Sequence, residues 1–311
     1  MPRPSPYTTE QAALIVSEYT DGSSMHELVR RYGGSRSTVL SRLLAAGVPL
    51  RTRVERQHRF PCRDDAFAGA ETDAEAAYWV GMLMGDGCIS VTKHSTWVIL
   101  ALAEQDASHV AKLRSFLAAE HRIMIQHYPG FPNRQPSHRL AVASKRLASD
   151  LSRYGVVPRK SKTAEVHLLE KNRHFWRGVI DSDGSLGSRR RKESHTPSPI
   201  VQAVGSETLM RQLASFTQEL TGTTSQPHAA NGCWAFAVHA GAAAELISHL
   251  YTDCTVALDR KWRIAMDLLR DWELRPRARA FDGKRAIGGA HARGRQGPSG
   301  VSRPAPRPAG P

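Results

Sequence analysis

The sequence predicts an α+β fold made of two similar halves related by a pseudo-two-fold axis. The first observation is a repeated segment: WVGMLMGDG at residues 79–87 returns as WRGVIDSDG at residues 176–184. Each copy is an apolar stretch with helical spacing that ends in an aspartate followed by a glycine, as expected for a helix and its C-cap. The second observation is that hairpin and helix patterns follow each copy in the same order.

Residues 1–52 are predicted to form a small all-α domain that contains a helix-turn-helix. Thr8 or Thr9 can cap a first helix, and Ser24 begins the capping box of a second helix. Two glycines then interrupt the chain, and Ser35 caps a third helix, which completes the helix-turn-helix order. The polar side chains expected to face outward from the third helix are Arg36, Ser37, Thr38, Ser41 and Arg42.

The repeat divides the rest of the chain into two subdomains, at residues 72–165 and 166–274. In each subdomain the pattern reads helix, hairpin, helix, hairpin, helix, which gives αββαββα twice. The segment 53–71 is rich in arginine and is expected to be a basic linker. Residues 275–311 are rich in Pro, Gly, Ala and Arg, and we expect them to be a disordered basic tail.

Charge and composition limit the class of partner. A net charge of +14 over 311 residues favours a polyanion such as nucleic acid, and a role in solubility alone is the alternative. The four cysteines lack zinc-site spacing and are typical of reduced thiols in a cytoplasmic protein, here one expected to associate with the nucleoid. No apolar run is long enough to predict a membrane span.

Small residues in the repeated segments predict that the two helices pack closely. Gly81 and Gly85 are four residues apart, as are Gly178 and Ser182. This spacing places each pair on one face of its helix. Small side chains on such a face let two helix backbones approach each other, as they do in membrane helix pairs.

Two aspartates, Asp86 and Asp183, end the repeated helices, where the helix dipole is already negative. If the helices pack in parallel, the two carboxylates meet, and a proton, a lysine or a metal ion must offset their repulsion. Oxygen ligands combined with a phosphate favour Mg²⁺. A turn aspartate before glycine is the ordinary alternative for each position, but the duplication favours a metal site.

The two segments resemble the motif of the LAGLIDADG homing endonucleases, in the single-chain form that carries two copies. The resemblance covers residues 72–272 and implies saddle-shaped antiparallel sheets. It also implies a site-specific DNA endonuclease that makes double-strand breaks with Mg²⁺, for which Mn²⁺ would substitute. The last acid of each motif would bind the ions, so the implied metal positions are Asp86 and Asp183 with the adjacent Gly85 and Ser182.

The resemblance further implies a lysine near each metal position. Lys160 lies in YGVVPRKS at residues 154–161, ahead of the second motif, and Lys261 is its counterpart in the second half. A lysine beside the scissile phosphate can stabilise its developing negative charge. The earlier acid of the motif is Met84 in the first copy and Asp181 in the second, a departure that we expect to matter little.

Double-stranded DNA is the implied partner, bound by a monomer, with the strands after each motif in the major groove. Arginine and glutamine can read base edges, whereas a run of basic residues grips the backbone. The helix-turn-helix resembles that of resolvases and invertases and would add contacts. Two alternatives remain open, a non-cleaving DNA-binding regulator and an RNA-splicing maturase that binds intron RNA. The candidate DNA contacts in the repeat are Lys93, His94, Arg134, His138, Arg189, Arg190, Arg191, Lys192 and Gln202.

Overall fold

The computed structural model describes residues 7–51, 60–128, 135–190 and 197–274. Its N-terminal part contains the helices α1 (Thr9–Thr20), α2 (Met25–Tyr32) and α3 (Arg36–Ala45). The first half of the repeat contains α4 (Ala74–Gly85), β1 (Gly87–Val91), β2 (Thr96–Ala103), α5 (Ala107–Phe116), β3 (Met124–Gln126), β4 (Ser137–Ala143) and α6 (Lys145–Arg153). The second half contains α7 (Arg173–Asp183), β5 (Gly184–Arg189), β6 (Ser198–Gly205), α8 (Glu207–Thr221), β7 (His228–Ala230), β8 (Cys233–His239), α9 (Ala240–Tyr251) and a final helix α10 (Asp259–Glu273).

The two halves have the same topology, which confirms the predicted α+β class and the αββαββα order. The first sheet has the strand order β1-β2-β4-β3 and the second has the order β5-β6-β8-β7. All pairs in both sheets are antiparallel. Each sheet buries alternate side chains, such as Val98 and Leu100 in β2 and Val201 and Ala203 in β6, against a common hydrophobic core.

The N-terminal helices have a hydrophobic cluster of their own. Its fully buried side chains include Ile15 from α1, Leu28 from α2 and Val39 from α3. The predicted caps are present: Thr8 accepts a hydrogen bond from the backbone of α1, and Ser24 forms a capping box with Glu27. Gly33 and Gly34 have φ of 77° and 78°, a backbone conformation that favours glycine and forms the turn between α2 and α3.

Part of the segment that we expected to be a linker packs against the large core. Phe67 and Ala70 are fully buried there, and the guanidinium of Arg63 lies 4.5 Å from the ring centroid of Phe116. The basic side chains of this segment suggested solvent, but its apolar residues complete the first half. Residue 52, residues 53–59 of the linker and the predicted tail at 275–311 lie outside the described residues.

None of the described helices combines the length and the apolar character that crossing a membrane requires.

Candidate metal centre

Helices α4 and α7 pack in parallel with their backbones in contact. A Cβ added to Gly81 would lie 3.1 Å from the Cα of Gly178, and a Cβ added to Gly178 would lie 2.6 Å from the amide nitrogen of Met82. Neither position can accept a side chain unless a backbone moves. The structure therefore places the two glycines face to face, and the helices meet along their small residues.

This packing brings Asp86 and Asp183 to the same place, at the C-terminal ends of the two helices. A Cβ added to Gly85, which precedes Asp86, would lie 2.6 Å from Oδ2 of Asp183. Burial and then the charge of Asp183 raise the pKa of Asp86 to about 6. Burial also raises the pKa of Asp183. Taken as whole residues, Asp86 is exposed and Asp183 is half-buried.

The carboxylates of Asp86 and Asp183 are suitable ligands for a divalent cation. Among the described residues, neither carboxylate forms an ion pair or accepts a side-chain hydrogen bond. Two crowded, repelling carboxylates without a cation in contact are the oxygen ligands that a divalent ion binds. Ser182 would offer its backbone carbonyl, and its hydroxyl donates to the carbonyls of Gly178 and Val179, each at 3.1 Å. The described residues hold no group of three or more His, Cys, Asp and Glu at metal distance, so the protein ligands here would be few.

The two candidate lysines lie beside these helix ends and are both buried. Lys160 begins a short 3-10 turn, and its ammonium donates to the carbonyl of Gly87, directly after Asp86, at 2.6 Å. Burial lowers the pKa of both lysines, and the nearby carboxylates oppose that change. The ammonium of Lys261 donates at 2.7 Å to each of three carbonyls, those of Ile180, Asp181 and Gly184.

Asp181, which was not among the predicted site residues, is the centre of a buried hydrogen-bond network. Its carboxylate accepts from the hydroxyl of Tyr78 at 2.8 Å, from the hydroxyl of Tyr251 at 2.7 Å and from the backbone N–H of Leu258 at 2.7 Å. Asp181 therefore has a structural part in the second half that Met84 lacks in the first, because three donors depend on this carboxylate. The sequence contains a sign of this network, because an aspartate inside an apolar helix is buried and needs hydrogen-bond partners.

The network extends to both sides of Asp181. The hydroxyl of Tyr78 also lies 2.7 Å from Nε2 of His109, whose pKa burial lowers to about 3, so the imidazole is neutral. The buried guanidinium of Arg177 donates to the carbonyl of Val256 at 2.9 Å and to that of Leu250 at 3.0 Å. These bonds join α7 to the end of α9 and to the segment between α9 and α10.

The start of α10 is also attached to the first half. Arg260 forms an ion pair with the largely buried Asp106, with distances of 3.0 and 3.1 Å from its Nε to the two carboxylate oxygens. Lys112 donates to Asp259 at 2.5 Å. Lys261 follows directly, so its position is fixed from both halves.

The candidate DNA contacts of the repeat occupy different places. Gln202 and Arg189 are exposed on the face of the second sheet that points away from the core, as the burial of Val201 and Ala203 shows. Lys93 and His94 are exposed in the β1–β2 turn, and Arg190 is exposed after β5. Arg134, Arg191 and Lys192 lie outside the described residues.

His138, predicted to contact DNA, lies on the core-facing side of β4. This residue alternates with Arg139 in β4 and therefore shares the core-facing side with Leu140 and Val142. Its ring lies 3.0 Å from a carboxylate oxygen of Glu104, which holds it at the end of the strand. The neighbouring residue Arg139, which was not among the predicted DNA contacts, lies on the outward side of the strand.

The polar side chains of α3 are divided by exposure. Arg36, Ser37 and Ser41 are exposed, whereas Thr38 and Arg42 are half-buried. The hydroxyl of Thr38 lies 2.8 Å from that of Ser35, so it supports the helix cap. The exposed members therefore present one basic and two hydroxyl side chains over the first six residues of the helix.

Comparison with known proteins gives structural similarities without close sequence relatives. No family model matches the chain, and no curated protein does. The solved LAGLIDADG meganuclease I-AabMI, bound to uncleaved DNA, superposes with a TM-score of 0.45 at 12% identity over 63% of this chain and 90% of that chain. I-WcaI, bound to its DNA recognition sequence, gives a TM-score of 0.46 at 11% identity over 61% and 85% of the two chains.

A third solved structure, the homing endonuclease I-LtrWI bound to target DNA, gives a TM-score of 0.44 at 13% identity over 65% of this chain and 91% of that chain. These scores and identities are low, so the assignment of the fold depends on the topology of the two halves and on the paired motif helices. The topology itself, two αββαββα halves with their repeated helices packed together, is the one that the sequence resemblance to the LAGLIDADG homing endonucleases implies.

Proposed function

We propose that the protein is a site-specific DNA endonuclease that hydrolyses phosphodiester bonds in both strands with a divalent metal ion, most simply Mg²⁺. The observation that carries the proposal is the convergence of Asp86 and Asp183 at two helix ends, with no described side chain bonded to either carboxylate. A purely structural pair of acids would be expected to bind a cationic side chain directly, and both nearby lysines bind carbonyls instead.

The chain's own residues have separable tasks in this proposal. Asp86 and Asp183 would hold the ions, with Gly85 and Ser182 offering backbone oxygens beside them. When bound, such an ion supplies Lewis acidity at the scissile phosphodiester and offsets its charge. Lys160 and Lys261 would place positive charge next to the phosphate and stabilise the charge that develops on its oxygens.

Two surfaces would select the DNA. The outward faces of the sheets carry Gln202, Arg189 and Arg139, whose side chains can read base edges or bind phosphate. The N-terminal helices would bind flanking DNA through Arg36 and its neighbours. The net charge of +14 would add affinity for phosphate that falls steeply with salt concentration.

A library experiment tests the proposal. The full chain is incubated with a randomised duplex library in Mg²⁺, in Mn²⁺ and in EDTA, and the new DNA ends are sequenced. We expect staggered ends at one recurrent sequence, in the metal reactions only. Sequence-selective binding without new ends would contradict the nuclease and support a regulator, while ends or splicing on intron RNA alone would support a maturase.

The part played by the N-terminal helices is tested by footprinting. A variant that lacks residues 1–52 is expected to protect a shorter stretch of DNA than the full chain, and to bind it more weakly. Arg36→Ala in the full chain is the matched point variant, and it should reduce protection at the same end. A footprint of unchanged length would give these helices a structural task only.

A further inference from the structure

We infer that the two strands are cut in a fixed order, and that the first cut takes place at the site served by Lys160. This inference rests on the proposed function and adds to it a division of labour between the two lysines. It follows from a difference between Lys160 and Lys261 in how many of their hydrogen-bond donors the protein already uses.

A lysine ammonium has three N–H donors and no acceptor. Lys261 donates to three backbone carbonyls, so its own fold uses every donor. Within the described part of the chain, Lys160 donates to the carbonyl of Gly87 alone, which leaves two donors for a phosphate oxygen or a water molecule. Lys261 must break a bond inside the protein before it can donate to substrate, and Lys160 does not need to.

The surroundings maintain this difference. Asp181 accepts the N–H of Leu258, and the N–H of Lys261 donates to the carbonyl of Leu258 at 2.9 Å, so the lysine lies one turn from a fixed point. Arg260, the residue before Lys261, is paired with Asp106 of the first half. At the position of Asp181 the first motif has Met84, which offers no such acceptor.

Lys160 is held by a shorter and simpler element. It starts a three-residue 3-10 turn, and Arg159 before it has φ of 59°, in the left-handed region that side chains rarely adopt. A single hydrogen bond in a short turn lets the ammonium move toward a bound phosphate more easily than three bonds at the start of a long helix do.

The order of cutting follows from these bonds. A hydrogen bond to a charged group contributes enough that having to break one slows a step by roughly tenfold or more. The strand at the Lys160 site is therefore cut first, and DNA nicked in that one strand accumulates before the double-strand break. Two equal and independent sites would instead cut both strands at the same rate.

The test uses the full-length protein and its selected target, labelled at the 5′ end of one strand or of the other. For the wild type we expect the rates on the two strands to differ by roughly tenfold or more. Lys160→Met should slow the strand that the wild type cuts first and so reduce the ratio. Lys261→Met should keep or increase the ratio. Thermal melting of each variant separates loss of fold from loss of function.

A second readout does not depend on cleavage. In metal-free, DNA-free protein with ¹⁵N-labelled lysine, we expect the ammonium protons of Lys261 to exchange with water more slowly than those of Lys160. Equal exchange of the two ammonium groups would overturn the inference. Equal cutting rates on the two strands in the wild type would also overturn it but leave the nuclease intact, whereas no cutting of either strand would count against the proposed function itself.

Discussion

The two halves of the repeat share a backbone plan but differ in how they hold their polar groups. In the first half, Met84 packs in the core and Lys160 makes one hydrogen bond. In the second half, the carboxylate of Asp181 accepts three hydrogen bonds and the ammonium of Lys261 donates three. Backbone symmetry is set by the close packing of glycines, which both copies need. The hydrogen-bond network around Asp181 does not depend on that helix contact, and only the second half has it.

The tyrosines that close the third helix of each half show the same divergence. Tyr154, after α6, donates to the carboxylate of Glu71 at 2.7 Å, on the segment ahead of the first motif helix. Tyr251, at the end of α9, donates to Asp181 inside the second motif helix. Hydroxyl groups at equivalent places therefore bond to the segment before α4 in the first half and to the last turn of α7 in the second.

The largest effect is expected at the acids. Asp86→Asn and Asp183→Asn should each lower cleavage by at least ~10³-fold, because each replaces a charged oxygen ligand with a neutral one. Strand-resolved gels measure the rates, and gel-shift titration should show DNA binding within a few-fold of the wild type. A variant that cleaves at the wild-type rate would refute the site. Loss of cleavage on one strand only would show that the two halves act independently.

The shared helix packing gives the next largest effect, on stability. Gly81→Ala and Gly178→Ala should each lower the free energy of unfolding by about 3 kcal/mol or more, because the new Cβ meets the backbone of the other helix. Urea unfolding measures this change. Gly187→Ala is the control, since its Cβ would meet only the Cγ2 of Ile200 at 3.9 Å. Similar losses for all three would mean that close approach is not the cause.

The polar network of the second half should give an effect that the first half lacks. Asp181→Ala should lower the free energy of unfolding by about 3 kcal/mol, because it leaves two tyrosine hydroxyls and a backbone N–H without their acceptor. Tyr251→Phe should have a strongly non-additive effect with Asp181→Ala in a double-mutant cycle. Tyr154→Phe with Asp181→Ala is the control pair. Additive effects in both cycles would show that the network is not coupled.

The smallest effect is a pH dependence of the metal-free protein. The pKa of Asp86 rises from 3.8 to about 6 on folding, so the folded state binds the proton of this carboxyl more tightly than the unfolded state does. The free energy of unfolding therefore falls as the pH rises from 3.8 to about 6. The groups that face it are Asp183, Lys261, Lys160 and Asp106.

Asp86→Asn should therefore raise the melting temperature of the metal-free protein at pH 7, and this advantage should shrink as the pH falls toward 4. Melting curves at several pH values in EDTA measure the difference. An Asp86→Asn variant that melts below the wild type at pH 7, or a difference independent of pH, would show that the carboxylate is not destabilised by its surroundings.

Much of the fold was predictable because local signals and long-range packing agree. Capping residues such as Ser24, the four-residue spacing of small side chains and the repeated Asp-Gly ends each have a local physical cause. The strands were predictable from the alternation of apolar and polar residues, but which side chains face the core was not. His138 was selected for its residue type, and it lies on the same side of β4 as the buried Leu140.

The interior of the site was less predictable because its bonds join distant segments. The family resemblance implied Lys261 as the lysine of the second half, but its three acceptors depend on how α10 packs against α7. Asp181 and its partner Tyr78 lie on different motif helices, and only their packing brings them together. Phe67 was missed for a related reason, since the arginines around it suggested solvent.

The central claim is that Asp86 and Asp183 together hold divalent cations next to DNA. Its most direct test is anomalous diffraction from crystals of the full chain with its target DNA and Mn²⁺. The account predicts anomalous density between the two helix ends, about 2.2 Å from carboxylate oxygens of both aspartates and from a DNA phosphate oxygen. Density elsewhere, or carboxylates that point into separate pockets in the presence of Mn²⁺ and DNA, would contradict it.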